Sequence, residues 1–189
     1  MKTAVIVHGK PNREEYFDQD CPSPSNHHWI PWLQKQLLIR DHIAQTPEMP
    51  RPWAPHYPAW KKEFERFEIS EKTILVGHSC GAGFLARWLS EHSKVRVGRV
   101  ILVAPWLDPN RNQTKGFFDF NLDPHLSART DGLAIFNSDN DGEEVQESAR
   151  LLHNTIENHY FKEFHNYGHF CVEDMGTDQF PELLELLVD

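Results

Sequence analysis

Five short apolar runs recur along the chain: "TAVIVHG", "KTILVGHS", "VGRVILVAP", "GLAIFNS" and "HYFKEF". A strand with one face in water alternates apolar and polar residues, whereas a near-continuous apolar run needs cover on both faces. The stretches "HWIPWLQKQLLIRDH", "AWKKEFERF", "GAGFLARWLSEH", "GEEVQESARLLHNTI" and "FPELLELLV" carry apolar residues at helical spacing. Strands of this kind separated by helices predict an α/β fold, a mostly parallel sheet between two helix layers. Two segments interrupt the alternation, the proline-dense loop "TPEMPRPWAPHYP" and the irregular excursion "WLDPNRNQTKGFFDFNLDPHLSART". With 189 residues, 39 % of them hydrophobic, the expectation is a single domain over residues 1–189.

Charge and cysteine usage remove several function classes. A formal charge of -9 with no cluster of Lys or Arg repels phosphate backbones and anionic lipid heads, so neither nucleic acid nor membrane is expected as a partner. The opening "KTAVIVHG" is too short for a signal-peptide core, no apolar run reaches spanning length, and a cytoplasmic protein is expected. Cys21, Cys80 and Cys171 are an odd set without metal-knuckle spacing and are read as free thiols.

The chemistry centres on "LVGHSCGAG", where Ser79 falls between a strand and a helix. A turn that tight has no room for side chains beside the serine backbone, which is the reason for Gly77 and Gly81, while Ala82 and Gly83 let the helix approach the sheet. Such a nucleophile elbow lifts the serine oxygen above the carboxyl edge of the sheet. The helix start behind it aims backbone N–H groups, chiefly that of Cys80, at a developing oxyanion.

A serine nucleophile needs a base and a carboxylate to orient the base. After the last strand, "NYGHF" puts His169 in a loop from which its imidazole can reach the serine. After "GLAIFNS", the turn "DNDG" offers Asp139 and Asp141 at the neighbouring strand end, one of them to hold the imidazole. The order Ser, Asp, His is that of α/β-hydrolases and differs from the chymotrypsin and subtilisin orders. At the end of the first strand, Gly9 lets backbone pass close to the reacting atoms, and the N–H at Lys10 can be the second oxyanion donor. His8 is read as a structural hydrogen-bonding group.

On these residues the chain resembles the small serine hydrolases of the YdeN-like family, to which the retinoblastoma-binding hydrolase also belongs, within the α/β-hydrolase superfamily. The likeness spans nearly the whole chain: "VIVHG", "HHWIPWLQKQL", the proline loop followed by Trp60, "LVGHSCGA", "VILVAP", the Ser-Asp-Asn-Asp turn, "GHF" and "FPELLELL". The resemblance implies a three-layer α/β-hydrolase sandwich without a large cap domain. It also implies cleavage of small esters or amides through Ser79, His169 and an aspartate, with no cofactor. The family spaces its aspartate three residues after a serine; carried over from Ser138, that favours Asp141. The chain departs from the pattern at Cys80, where a bulky apolar residue is usual, and at Gly142, where the family has proline. It departs again in the longer first loop "KPNREEYFDQDCPSPS", whose residues could roof the site.

Other features take plainer readings. His27 and His28 are expected to point apart and to lack a carboxylate at ligand spacing, so no metal site is expected. Trp29, Trp32, Trp60 and Trp88 are read as core, and "EEVQE" as acidic residues favouring a helix start. The alternative to an active hydrolase is a protein-binding module on the same fold with vestigial catalysis.

Overall fold

The computed structural model of the 189-residue chain describes residues 2–188. Six parallel strands form one sheet, β1 (Lys2–Val7), β2 (His42–Gln45), β3 (Thr73–His78), β4 (Val100–Val103), β5 (Leu133–Ser138) and β6 (Tyr160–Phe164), in the order β2-β1-β3-β4-β5-β6. Every residue of β3, β4 and β5 is buried, as strands covered on both faces require.

The strand order determines where the helices go. From β1 the chain steps outward to β2 through α2 (Ile30–Leu38), then returns past β1 to β3 through α3 (Tyr57–Phe64). It continues the other way through α4 (Cys80–Glu91) and α5 (Glu143–Thr155). Crossovers between parallel strands are right-handed, so reversing direction transfers the helices to the opposite face. The aromatic contacts follow this division: Trp29, just ahead of α2, meets Phe180 at the start of α7 (Pro181–Val188), while Trp60 and Phe64 of α3 pack on Phe84 of α4. Between the adjacent β1 and β3 lies the switch point, where open α/β sheets form their binding crevice at the carboxyl ends of the strands.

The sequence reading found five of the six strands and missed β2, of which it placed only His42, at the end of the preceding helix, and left Ile43, Ala44 and Gln45 unassigned. Helix α2 stops at Leu38, Asp41 turns the chain with φ +59°, and His42 begins an edge strand paired with Lys2. Only Ala44 of β2 is buried, so no apolar run marks it. Also unforeseen was α1 (Arg13–Phe17), a one-turn helix in the long first loop, closed by a reciprocal cap between Asn12 and Glu15. A further short helix, α6 (Val172–Met175), follows the His169 loop. Trp29, Trp60 and Trp88 are buried as expected, with Trp32 half-buried against the core. No helix among the described residues is long and apolar enough to cross a membrane.

Candidate active site

Ser79 follows β3 directly and caps α4 with φ +55° and ψ -120°, a conformation L-residues adopt only under constraint. Its neighbours supply that constraint. The Ser79 N–H donates to the Val103 carbonyl of β4 at 2.9 Å, and its own carbonyl accepts from Gly83 at 3.1 Å and Trp106 at 3.2 Å. A Cβ on Gly77 would stand 2.5 Å from the Ala82 Cα, and one on Gly81 would run into the carbonyl oxygens of Val7 and His8. Glycine at both positions is therefore a matter of backbone meeting backbone, as the sequence reading held.

The side chains of Ser79, His169 and Asp141 come together. His169 Nε2 lies 2.9 Å from Ser79 Oγ, and His169 Nδ1 lies 2.9 Å from Asp141 Oδ2 and 3.1 Å from Oδ1. With Nδ1 donating to the carboxylate, Nε2 is left as the acceptor facing the hydroxyl. The Asp141 side chain is only 4 % exposed and that of His169 32 %, so the acid is screened from water while the base can be reached.

Asp139, the other carboxylate weighed from sequence, faces away. Its two oxygens take the His165 ring and, at 3.0 Å, the Asn166 N–H, and the Asn166 N–H followed by His165 holds its carboxyl below the usual range. It belongs to a set of side chains that grip the histidine loop. The Ser138 hydroxyl accepts the Tyr167 N–H at 3.0 Å and Asn140 Oδ1 accepts the Gly168 N–H at 2.8 Å. Four successive residues at the end of β5 thus hold four successive residues ahead of α6. Asp174 adds a contact from the other side, accepting the His169 N–H at 2.8 Å, and its side chain fills the space a Cβ on Gly168 would need. Sequence reasoning missed Asn140 and Asp174 as positioning residues; only the short distance of each from His169 or Asp141 along the chain hints at them.

Two other histidines are structural. The His8 ring is buried, donating from Nδ1 to the Gly9 carbonyl at 2.7 Å and accepting the Met49 N–H on Nε2 at 2.9 Å. Burial lowers its pKa against the raising effect of Glu48. His78 is likewise buried and donates from Nε2 to the His169 carbonyl at 2.8 Å. Burial first, then the nearby His169 and His28, push its pKa well down and keep it neutral.

The Cys80 and Lys10 backbone N–H groups, expected from sequence as oxyanion donors, stand at the first residue of α4 and in the loop after β1 respectively, and donate to no group among the described residues. Gly9 brings the β1 end close to the nucleophile, since a Cβ there would lie 3.1 Å from the Ser79 Cβ. Two cavities meet at Ser79, Lys10 and His169. One of about 410 Å³ extends under the first loop past Glu15, Cys21 and His27; the other, about 180 Å³, is bounded by Trp106, Gln113 and Val145. Glu144 braces the second wall by accepting from Trp106 Nε1 at 3.0 Å and Gln113 Nε2 at 3.1 Å, a tie that the helix-start reading of "EEVQE" did not include. The thiol next to the nucleophile is inert. Cys80 is fully buried with its pKa pushed up by that burial, and burial, followed by Asp174 and Glu173, raises Cys171 to about 12.

The expectation for His27 and His28 needs correction. Their rings stack at 3.9 Å, 15° from parallel, because His28 adopts φ +54° and folds back toward its neighbour. Each ring also has a carboxylate and a thiol with ligand atoms within 4.8 Å, Glu15 and Cys21 for His27 and Glu173 and Cys171 for His28. Burial, then His27, lowers the pKa of His28 to about 4.

Parallel sheet, switch-point crevice and a serine on a strained strand-to-helix turn define an α/β-hydrolase. Residues 22–189 match the family model for serine hydrolases, and the chain belongs to that family. Among solved structures it is similar to the ydeN gene product of B. subtilis, with 26 % identity and a TM-score of 0.82 over 99 % of this chain and 97 % of that one. It is a YdeN-like small serine hydrolase without a cap domain among the described residues. The fold is shared with a YdeN-like hydrolase of Pectobacterium atrosepticum, at 17 % identity and a TM-score of 0.59 over 99 % of this chain and 89 % of that one. An esterase domain from Rhodothermus marinus shares it too, at 13 % identity and a TM-score of 0.66 over 99 % and 85 %. No curated protein sequence is a significant match.

Proposed function

We propose that this hydrolase cleaves small esters or amides through Ser79, His169 and Asp141. The observation that carries the reading is the single imidazole set 2.9 Å from both Ser79 Oγ and Asp141 Oδ2. As Ser79 Oγ attacks the substrate carbonyl carbon, His169 Nε2 takes the hydroxyl proton, and Asp141 stabilises the imidazolium through Nδ1–H. The carbonyl oxygen becomes an anion to which the Cys80 and Lys10 N–H groups can donate. Collapse expels the alcohol or amine with the proton held by His169, and water, deprotonated by the same ring, releases the acid from the Ser79 ester. Cavities of about 410 and 180 Å³ on either side of the serine suit a short acyl group and a modest leaving group. The three free thiols fit a reducing compartment, so the proposed place of action is the cytoplasm.

The test is a fluorophosphonate probe on the purified chain, followed by an ester series of increasing acyl length. Ser79 alone should be labelled, labelling should vanish in Ser79→Ala, and turnover should favour short acyl chains. Labelling that persists in Ser79→Ala removes the serine from its role. A chain that takes no label and turns over no ester is a binding module on a hydrolase fold.

A further inference from the structure

The outer wall of the larger cavity carries donor groups that ester cleavage does not use. Glu15 in α1, Cys21 in the loop beyond it and His27 after the turn Pro24–Asn26 all line this cavity, and one ligand atom from each lies within 4.8 Å of the others. All three are half-buried. They stand on ordered backbone: the Asn12–Glu15 cap sets α1, and the Ser25 N–H donates to Glu48 at 3.2 Å just ahead of His27. Of the three side chains, only Glu15 takes part in a hydrogen bond among the described residues, accepting the Asn12 N–H at 3.4 Å.

Thiolate, imidazole and carboxylate together suit Zn²⁺, whereas Mg²⁺ and Ca²⁺ call for oxygen throughout. Bonds of about 2.0–2.3 Å place the ligand atoms of a tetrahedral zinc about 3.3–3.6 Å apart, so shifts of roughly an ångström would close this trio on an ion. Three protein ligands leave a fourth position open to water or to a group within the cavity. The neighbouring trio His28, Cys171 and Glu173 is a poorer donor set. His28 Nδ1 already accepts the Val172 N–H at 3.3 Å, and the Cys171 thiol is turned toward the His169 carbonyl at 3.8 Å.

We propose that Glu15, Cys21 and His27 bind a thiophilic divalent cation of the Zn²⁺ type, and that its presence restrains acylation of Ser79. On binding, the Cys21 thiol releases its proton to solvent and the sulfur lone pair goes to the metal; no oxidation state changes. Ser79 and His169 line the same cavity, so the ion and its fourth ligand take space a substrate would enter. This second half rests on the serine-hydrolase proposal; the binding half does not.

Co²⁺ titration of the full chain tests the binding. One equivalent should bind, with thiolate-to-cobalt charge-transfer absorption and the d–d bands of a tetrahedral ion, all displaced by Zn²⁺. Cys21→Ser should abolish the charge-transfer band and weaken binding at least tenfold, His27→Ala should also weaken it, and Cys171→Ser should leave the band in place. Absence of stoichiometric binding, a band that survives Cys21→Ser, or a band lost with Cys171→Ser instead overturns the site. For the restraint, Zn²⁺ should slow fluorophosphonate labelling of the wild type at least fivefold, reversibly with chelator, and leave the labelling rate of Cys21→Ser unmoved. Unchanged wild-type labelling with metal bound overturns the restraint. A metal-free chain that takes no label defeats the hydrolase proposal and the restraint together, while the cobalt spectrum still decides the site.

Discussion

The imidazole of His78, one residue ahead of Ser79, donates from Nε2 to the main-chain carbonyl of His169 at 2.8 Å. The strand that presents the nucleophile therefore also holds the backbone of the residue whose ring faces it. In His78→Phe the half-buried carbonyl keeps only the longer Cys171 thiol contact, at a cost of about 1–3 kcal/mol in stability, and the His169 ring loses a fixed support. Turnover should fall about 10- to 100-fold with KM little changed, as expected when a reacting group is misplaced by a fraction of an ångström. His78→Gln, which keeps a donor, should recover part of it; a KM effect without a kcat effect would contradict this role.

Asp141 and Asp139 should separate cleanly. Asp141→Asn removes the charge that orients His169 Nδ1 and should lower kcat by about 10⁴. The Asp139 carboxylate meets only His165 and Asn166 among the described residues. Asp139→Asn should cost less than tenfold, and steady-state kinetics on the two purified variants showing the reverse ranking would transfer the orienting role.

Acid should destabilise the fold earlier than carboxylate titration alone would. The pKa values of His8, His28 and His78 are lowered in the folded chain, that of His28 to about 4, while in the unfolded chain each returns to the ordinary imidazole value. Below about pH 6.5 the unfolded state binds protons that the native state refuses, so stability is complete above that pH and declines as pH falls toward 4. Each histidine contributes a slope of up to about 1.4 kcal/mol per pH unit. Urea unfolding at pH 7.5, 6 and 5 should show this decline, and a flat profile would refute it; His28→Gln should flatten the slope in part.

The thiols should react in a fixed order. With a pKa of about 12, Cys171 is ionised to roughly one part in 10⁴–10⁵ near pH 7.5, against about a tenth for an ordinary thiol. Cys80 is fully buried. Burial, with Glu15 next, also raises the Cys21 pKa, though Cys21 is the more accessible thiol, so peptide mapping after native maleimide treatment should find Cys21 modified first, Cys171 more slowly, and Cys80 only after denaturation. Cys80→Ala should keep most activity, since only its backbone N–H faces the reaction; a dead Cys80→Ala enzyme with native structure would show that the thiol itself is needed.

What the sequence disclosed was what local sterics and chain order control. Gly77, Gly81 and Gly83 mark backbone approaches that no other residue permits, and the run Thr73–His78 is apolar enough to declare a strand covered on both faces. His169 stands out by its place after β6, while the place after β5 narrows the acid only to Asp139 or Asp141, and the preference for Asp141 comes from the family spacing after Ser138. Edge strand β2 was hidden because a strand with one buried residue has no apolar signature. Glu15, Cys21 and His27 were hidden for another reason: nothing periodic links them, and they meet only because α1 and the turn Pro24–Asn26 fold the first loop over the crevice.

The grip of Ser138 to Asp141 on Asn166 to His169 has a consequence for how such a chain can change. Surface loops ordinarily absorb insertions and deletions, because their backbones answer to few partners. Here two loops are matched residue for residue through side chains, much as paired strands are matched through their ladders. A single residue added to or lost from either would displace every partner at once and carry the imidazole away from the serine. Variation in length is easier elsewhere, above all in the long excursion after β4, so part of the rim of the crevice can be remodelled while its floor stays in register.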